Sequence, residues 1–299
     1  VKELGLALGG GGLKGLAHIG VMQVLEANAI PIAMISGTSA GSLVAALYAS
    51  GMSASLMEAV ALNLKPSDYL DYNVAGLLKA LAGFLVPGLE VKLDGIIKGD
   101  KLEDMVYRLT GGQSLRDARI PLSIVSCDID TGREVIFTNC RLNTDQDTVV
   151  INDALLSEAV RASCSIPATF VPLDYQGMQM VDGGVRSIVP VKALQQMGAE
   201  YILAINLGQE TYQEPVQGIP QIISRTLNIL TYETSSTDQA ILADLAVYPG
   251  VNGVKLDDLS KTKDIIRAGR RAMQDKMPEL KAGLRERRSI SRIPKAEVI

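Results

Sequence analysis

The sequence predicts an α/β fold, a mainly parallel sheet with helices on both faces. Three observations carry that expectation. Short apolar runs alternate with stretches of helical periodicity over the first fifty residues. The first two runs each stop at glycines or small polar residues, as a strand does when it turns tightly into a helix. Strand–helix repetition at this spacing is satisfied by parallel pairing with helical crossovers.

The elements follow in order. Leu4 to Leu8 reads as a buried strand that stops at four glycines, Gly9 to Gly12. Leu13 to Ala27 has helical spacing, with Leu16, Ile19 and Val24 on one face. Pro31 to Ile35 is a second strand, ended by Ser36-Gly37-Thr38, and Ser39 to Ser50 a second helix. Residues 53 to 110 read as mostly helical, broken at Pro66, Pro87-Gly88 and Gly99. Pro121 to Cys127 and Glu134 to Thr138 read as strands joined by a turn at Asp130-Thr131-Gly132. Asn152 to Ala162 is expected to be a helix capped by Asn152 or Asp153. Met178 to Val181 is a short strand ended by Asp182-Gly183-Gly184, Val191 to Met197 a helix, and Tyr201 to Asn206 a strand. Residues 219 to 245 and 260 to 287 read as long helices.

Composition bounds the function. The 299 residues are 47% hydrophobic, enough for one sizeable core. Without repeats, low-complexity segments or linkers, residues 1–299 are read as one domain, with a motif-bearing core over about 3–210 and a helical extension over about 219–299. A net charge of −4 argues against a whole-protein nucleic-acid footprint. Three cysteines, Cys127, Cys140 and Cys164, are too few for a disulfide framework and point to a reducing compartment. No apolar stretch reaches 18 residues, and no signal-peptide pattern precedes the first strand. The expectation is a cytoplasmic protein, peripheral to the membrane at most, although the chain opens on Val1 and a trimmed targeting segment stays open.

Two regions stand apart in composition. Residues 74 to 97 are strongly apolar, with Lys79 the only charge before Glu90. They read either as a lid or bilayer-dipping surface, or as a buried helix or dimer interface. Residues 261 to 299 carry 12 Lys/Arg against 5 Asp/Glu, a net of +7 that leaves −11 for the rest. That is a solvated basic helix face or an approach to anionic headgroups. A homo-oligomer is compatible with either reading.

The chemistry begins at the glycines. Gly9-Gly10-Gly11-Gly12-Leu13-Lys14-Gly15 sits between a strand and a helix, where consecutive N–H groups can converge on an anion. A nucleotide P-loop would place Ser or Thr after the lysine, and Gly15 stands there. A dinucleotide site would place an acidic residue at the end of the next strand, which ends in Ser36-Gly37-Thr38 instead. A phosphate and the oxyanion of acyl transfer remain as candidates. Gly37-Thr38-Ser39-Ala40-Gly41 then fits Gly-x-Ser-x-Gly between a strand and a helix, the setting of a nucleophile elbow. Ser39 is the candidate nucleophile, with Gly37 and Gly41 giving the turn its room. The plainer reading is a helix cap.

A serine needs a base. The only histidine, His18, lies about 1.5 turns into the helix after the glycine loop. It reads as a packed ring with one satisfied nitrogen, as a structural bond to the elbow, or as a base. A Ser-His-Asp triad is not expected, so a carboxylate is sought. Met180-Val181-Asp182-Gly183-Gly184 puts an aspartate at a strand end, where such sheets carry their sites. An Asp-Gly turn is the alternative. No His/Cys/Asp cluster has zinc spacing, and Asp128, Asp130 and Thr131 form too little of a calcium loop. No metal and no cofactor are expected.

The glycine loop, Gly-Thr-Ser-Ala-Gly and Asp-Gly-Gly, in this order and spacing, resemble the patatin-like phospholipases. His18-Ile19-Gly20-Val21, Gly99-Asp100-Lys101-Leu102, Cys127 to Gly132 and Ala162 to Pro167 are similar too, and the resemblance runs from about residue 3 to 210. It implies a three-layer α/β/α sandwich and a Ser-Asp dyad, with Ser39 as nucleophile and Asp182 as base. It also implies an oxyanion hole from the N–H groups of Gly10, Gly11 and Gly12. Lys14 stands where the family often has arginine. The implied activity is hydrolysis of fatty-acyl esters of phospholipids or lysophospholipids through an acyl-enzyme. An acyltransferase or thioesterase with the same dyad, and a non-catalytic membrane-associated scaffold, are the alternatives. An exposed aspartate, with a pKa of about 3.9, is a weak base at neutral pH. The dyad therefore requires a partly buried Asp182 with a raised pKa.

Overall fold

The computed structural model describes residues 2–76, 95–208, 239–251 and 253–286, with nine further residues between 215 and 230. Nine strands among them form one sheet. These are Leu4–Leu8 (β1), Ile32–Thr38 (β2), Leu122–Asp128 (β3), Glu134–Thr138 (β4), Thr148–Ile151 (β5), Leu173–Tyr175 (β6), Met178–Asp182 (β7), Tyr201–Ile205 (β8) and Leu245–Val247 (β9). The main path runs β5-β4-β3-β2-β1-β8-β9. Pairing is parallel from β3 through β2, β1 and β8 to β9, and antiparallel where β4 and β7 meet β3. The central strands β1, β3 and β8 are buried at every residue, which suits the near-continuous apolar character of β1 and β8.

Helices cover both faces. Leu16–Ala27 (α1), Ala40–Ala49 (α2), Ala54–Asn63 (α3), Asp100–Thr110 (α4), Leu156–Ser163 (α5) and Thr262–Arg285 (α7) pack into one large core with Leu4, Leu6 and Leu8 of β1. The opposite face, with Ala7, Met34, Ile202 and Ala204, is covered by Val191–Gln196 (α6) through Val191, Leu194 and by Met197. Alternation along β1 thus divides the two layers.

One detail of register positions the site. Strand β2 pairs with the first half of β3, as far as Thr38 opposite Val125. Strand β7 pairs with the second half of β3, from Met180 opposite Asp128 to Asp182 opposite Ser126. The two strands run toward each other along β3. Their last residues, Thr38 and Asp182, oppose adjacent residues of it.

The long C-terminal helix is bound closely to α1. A Cβ on Gly20 would stand 2.0 Å from the Ile266 carbonyl oxygen, and one on Gly269 would stand 1.9 Å from that of Ala17. Backbone meets backbone because neither helix has a side chain at the crossing. Beside it Arg270 bonds Gln23 at 2.5 Å and Glu58 at 2.6 Å, tying α7 to α1 and α3.

Several expectations are corrected. The helix after the first glycines starts as a tight 3-10 turn over Gly12–Gly15 and becomes α-helical at Leu16. Helix α5 starts at Leu156, not at Asn152, because the residues before it are held extended against 113–115: the Leu115 N–H donates to the Ala154 carbonyl and the Leu156 N–H to that of Gln113. Strands β5, β6 and β9 were not expected; two have three residues each, too few to show a period. The stretch read as helix to residue 245 is helical at 239–242 and ends before β9. Most of the apolar run at 74–97 and part of the 219–245 stretch lie outside the described residues.

The α1–α7 crossing makes a direct prediction. Gly269→Ala must push the helices apart and should destabilise the protein by about 1–3 kcal/mol, read as a lower urea midpoint. An unchanged midpoint would contradict the crossing.

Candidate active site

The turn between β2 and α2 is strained at one residue. Ser39 has φ 53° and ψ −126°, a conformation L-residues avoid. It occupies the N-cap position of α2, yet its hydroxyl makes no capping bond. The surroundings hold it by its backbone. Its N–H donates to Ser163 Oγ at 2.8 Å, and Ser163 Oγ donates to the Val125 carbonyl at 2.6 Å. Its carbonyl accepts from the N–H of Ser42 at 2.8 Å and from Ser42 Oγ at 2.6 Å. The flanking glycines are steric necessities. A Cβ on Gly41 would stand 2.0 Å from the Leu8 carbonyl oxygen, and one on Gly37 2.4 Å from that of Gly41.

Asp182 arrives from the other direction. Its N–H donates to the Ser165 carbonyl at 2.9 Å, and its Oδ1 accepts the Gly184 N–H at 2.8 Å. Gly183 has no room for a side chain, since its Cβ would stand 2.1 Å from the Val125 carbonyl oxygen. The Ser39 hydroxyl is near enough to the carboxyl group to favour its charged form. Asp182 is 6% exposed, and burial pushes its pKa up to about 6, against the opposing effect of the Ser39 hydroxyl and the Gly184 N–H.

The glycine loop closes on the same point from β1. A Cβ on Gly10 would stand 3.2 Å from Ser39 Cβ. The loop does not offer all three expected donors. The Gly10 N–H is bonded to the Ile188 carbonyl at 2.9 Å, so it anchors the loop. The N–H groups of Gly11 and Gly12 have no acceptor among the described residues. The same holds for Ala40, at the first position of α2, where a helix leaves its N–H groups unpaired. The N–H groups of Gly11, Gly12 and Ala40 are therefore unpaired among the described residues. Lys14 is partly buried, its Nζ 3.5 Å from the Leu207 carbonyl oxygen, and burial lowers its pKa.

His18 is a packed ring. It is fully buried, with Nε2 2.8 Å from the Gly9 carbonyl oxygen and no bond to Ser39. Burial pushes its pKa down to about 4, so it is neutral above that pH.

The end of α5 and the turn after it resemble the family in sequence without a role of their own. There Ser163 holds Ser39 and Ser165 holds Asp182, so one short segment braces both. Arg161 fixes the turn in place. This side chain is 3% exposed and donates to Ser165 Oγ at 2.5 Å and to the carbonyls of Lys98 and Val171, against the face of Phe170. Cys164 lies between Ser42 and Asp182, its thiol pushed up to about 12 by burial and then by the aspartate. It is a neutral packing group there. Only distance in sequence hid this brace, for nothing local in residues 161–165 points toward residue 39.

The apolar wall comes from Ile188 and Leu207. The Ile188 Cδ1 would meet a Cβ on Gly10 at 2.6 Å and one on Gly184 at 2.7 Å, so it sits against both loops. Leu207 covers Gly11 in the same way. Asp128 is not free to bind an ion, since it accepts from Thr131 Oγ1 at 2.5 Å and from the Asp130 N–H at 3.3 Å to close its own turn. No cluster of three or more His, Cys, Asp or Glu suited to a metal occurs among the described residues. No helix among them is long and apolar enough to cross a membrane.

Comparison with known proteins places the chain in a family. The model of the patatin-like phospholipase family matches residues 6–194. Lysophospholipase NTE1 of the yeast Debaryomyces hansenii is 28% identical over 225 residues, which cover 72% of this chain and 12% of that protein. An uncharacterized NTE family protein of Mycobacterium bovis is 25% identical over 234 residues, covering 78% of this chain and 57% of that one. The chain thus spans a small part of the first relative and little more than half of the second. Among solved structures, the type III effector protein ExoU is 17% identical with a TM-score of 0.47, covering 95% of this chain and 54% of that one.

The raised pKa of Asp182 has a consequence for stability. Between its ordinary value of 3.8 and about 6, the folded chain keeps a proton that the unfolded chain has lost. Stability therefore falls as pH rises through that window and stays lower above it. Asp182→Asn removes the buried charge and should raise the thermal midpoint relative to wild type at pH 8 but not at pH 4. Equal midpoint differences at the two pH values would contradict the burial of a charged Asp182.

Proposed function

We propose that this chain, which belongs to the patatin-like phospholipase family, hydrolyses fatty-acyl esters of phospholipids or lysophospholipids through Ser39 and Asp182. The observation that carries the reading is a strained, buried serine beside a buried aspartate whose pKa burial raises to about 6. A base is most effective when its pKa lies near the working pH, and burial brings Asp182 there.

In this mechanism Asp182 takes the Ser39 proton as Oγ attacks the ester carbonyl. The carbonyl oxygen becomes an oxyanion at the N–H groups of Gly11, Gly12 and Ala40. Collapse of the intermediate expels the alcohol, which takes the proton back from Asp182 and leaves the acyl group on Ser39. Water, deprotonated by Asp182, then releases the fatty acid and restores both groups. One oxyanion donor contributes about 3–4 kcal/mol to the transition state, and positioned proton transfer adds roughly 10²- to 10⁴-fold. The reaction needs no metal or cofactor. Ile188 and Leu207 offer an apolar wall for the acyl chain.

The relatives support this choice of substrate class. The Debaryomyces hansenii protein is named a lysophospholipase, and a single-chain lipid ester is the first substrate to try here. The substrate is met at a lipid surface, from the cytoplasmic side and without nucleic acid as a partner.

Ser39→Ala should lower turnover of a p-nitrophenyl acyl ester by about 10³-fold or more, with release of free fatty acid from lysophospholipid lost in parallel. Retained turnover would sink the nucleophile assignment, and transfer to an added alcohol in place of acid release would make the protein an acyltransferase. In the wild type, kcat/KM should rise with pH to a plateau with its midpoint near 6, because Asp182 acts only when deprotonated. A flat profile between pH 5 and 8 would contradict that role.

A further inference from the structure

We propose that His18 is a positioning residue for the anion-binding loop, fixing through Nε2 the Gly9 carbonyl and with it the direction in which Gly11 and Gly12 present their N–H groups. The inference rests on the reading of that loop as the oxyanion site.

The ring is fully buried, and Nε2 lies 2.8 Å from the Gly9 carbonyl oxygen. A carbonyl oxygen only accepts, so Nε2 carries the hydrogen. Nδ1 is then the bare nitrogen, and it is buried with no partner among the described residues. An unpaired buried nitrogen is costly, and an apolar ring would fill the same space without that cost. The bond made by Nε2 is what offsets it.

That bond falls where the backbone most needs a restraint. Four consecutive glycines have no side chains to limit their φ and ψ. The Gly9–Gly10 peptide is held at both ends, its carbonyl by His18 and its N–H by the Ile188 carbonyl at 2.9 Å. The next restraint is the Gly11 carbonyl, which accepts the Lys14 N–H at 3.2 Å. The N–H groups of Gly11 and Gly12 follow directly from the pinned peptide, beside Ser39. His18 is itself backed from behind. It follows Ala17, whose carbonyl oxygen is the atom pressed against Gly269 of α7. A helix beyond the family-matched stretch 6–194 thus supports the ring that orders the loop.

Three variants test this in the full chain. The amide nitrogen of glutamine can stand where Nε2 stands, whereas that of asparagine reaches only to the place of Nδ1, and phenylalanine has no donor. With a p-nitrophenyl acyl ester, His18→Phe and His18→Asn should lose about 10- to 100-fold in kcat with KM within about twofold of wild type. His18→Gln should stay within about fivefold of the wild-type kcat. Thermal midpoints identify a variant that fails to fold, and if His18→Phe does, the asparagine–glutamine pair decides alone. Equal kcat in His18→Asn and His18→Gln, or a loss confined to KM, would overturn the proposal. The backbone amide resonances of Gly11 and Gly12 give a readout independent of turnover. They should keep their wild-type positions in His18→Gln and shift or broaden in His18→Asn; the same spectrum in both would overturn the proposal. Failure of the dyad itself is seen separately, as full turnover in Ser39→Ala.

Discussion

Strand β3 has one edge that two strands share. Strand β2 occupies the half from Leu122 to Val125 and β7 the half from Ser126 to Asp128, in opposite directions. Neither can extend without displacing the other, so both chains must leave the sheet where they meet. Each leaves through a residue with a chemical side chain. The turn after β2 carries Ser39, and the last residue of β7 is Asp182. Their proximity is a property of sheet register, set by backbone hydrogen bonds that a substrate never touches.

The rest of the site reads as the means of keeping two chain ends crowded into one place. The crowding is relieved by glycine. Gly37, Gly41 and Gly183 each face a carbonyl oxygen closer than a Cβ could approach. It is then locked by hydrogen bonds. Ser163 ties the Ser39 backbone to β3, and the Ser165 carbonyl holds the N–H of Asp182. Such a site opposes stability. Ser39 sits in a conformation that costs of order 1–3 kcal/mol, and Asp182 is buried as an acid with few partners. The large core shared by six helices carries that cost, and α7 enlarges it through the crossing with α1.

Much of this was legible in the sequence, for local reasons. Strand ends marked by glycines, the small residues around Ser39 and the scarcity of histidine are features of short segments. They suffice for the α/β class and for naming Ser39, and the resemblance to a family supplied Asp182. What stayed hidden depends on contacts between distant segments. The Gly10 N–H looked like a free donor because Ile188, its acceptor, lies far along the chain. Ala40 was overlooked because a free helix N–H has no signature beyond the helix start itself. Ser163 and Ser165 resembled an ordinary polar turn. The crossing at Gly20 and Gly269 joins two helices far apart in the chain, with nothing in either to name its partner.

The central claim is that Ser39 is a nucleophile because Asp182 stands against it. A fluorophosphonate probe tests this directly, since it reacts with an activated serine whatever lipid the protein prefers. Peptide mass analysis after labelling should place the adduct on Ser39 in the wild type, and Asp182→Asn should be labelled at least about 100-fold more slowly. An adduct on another residue, or equal labelling of Asp182→Asn, would contradict the account.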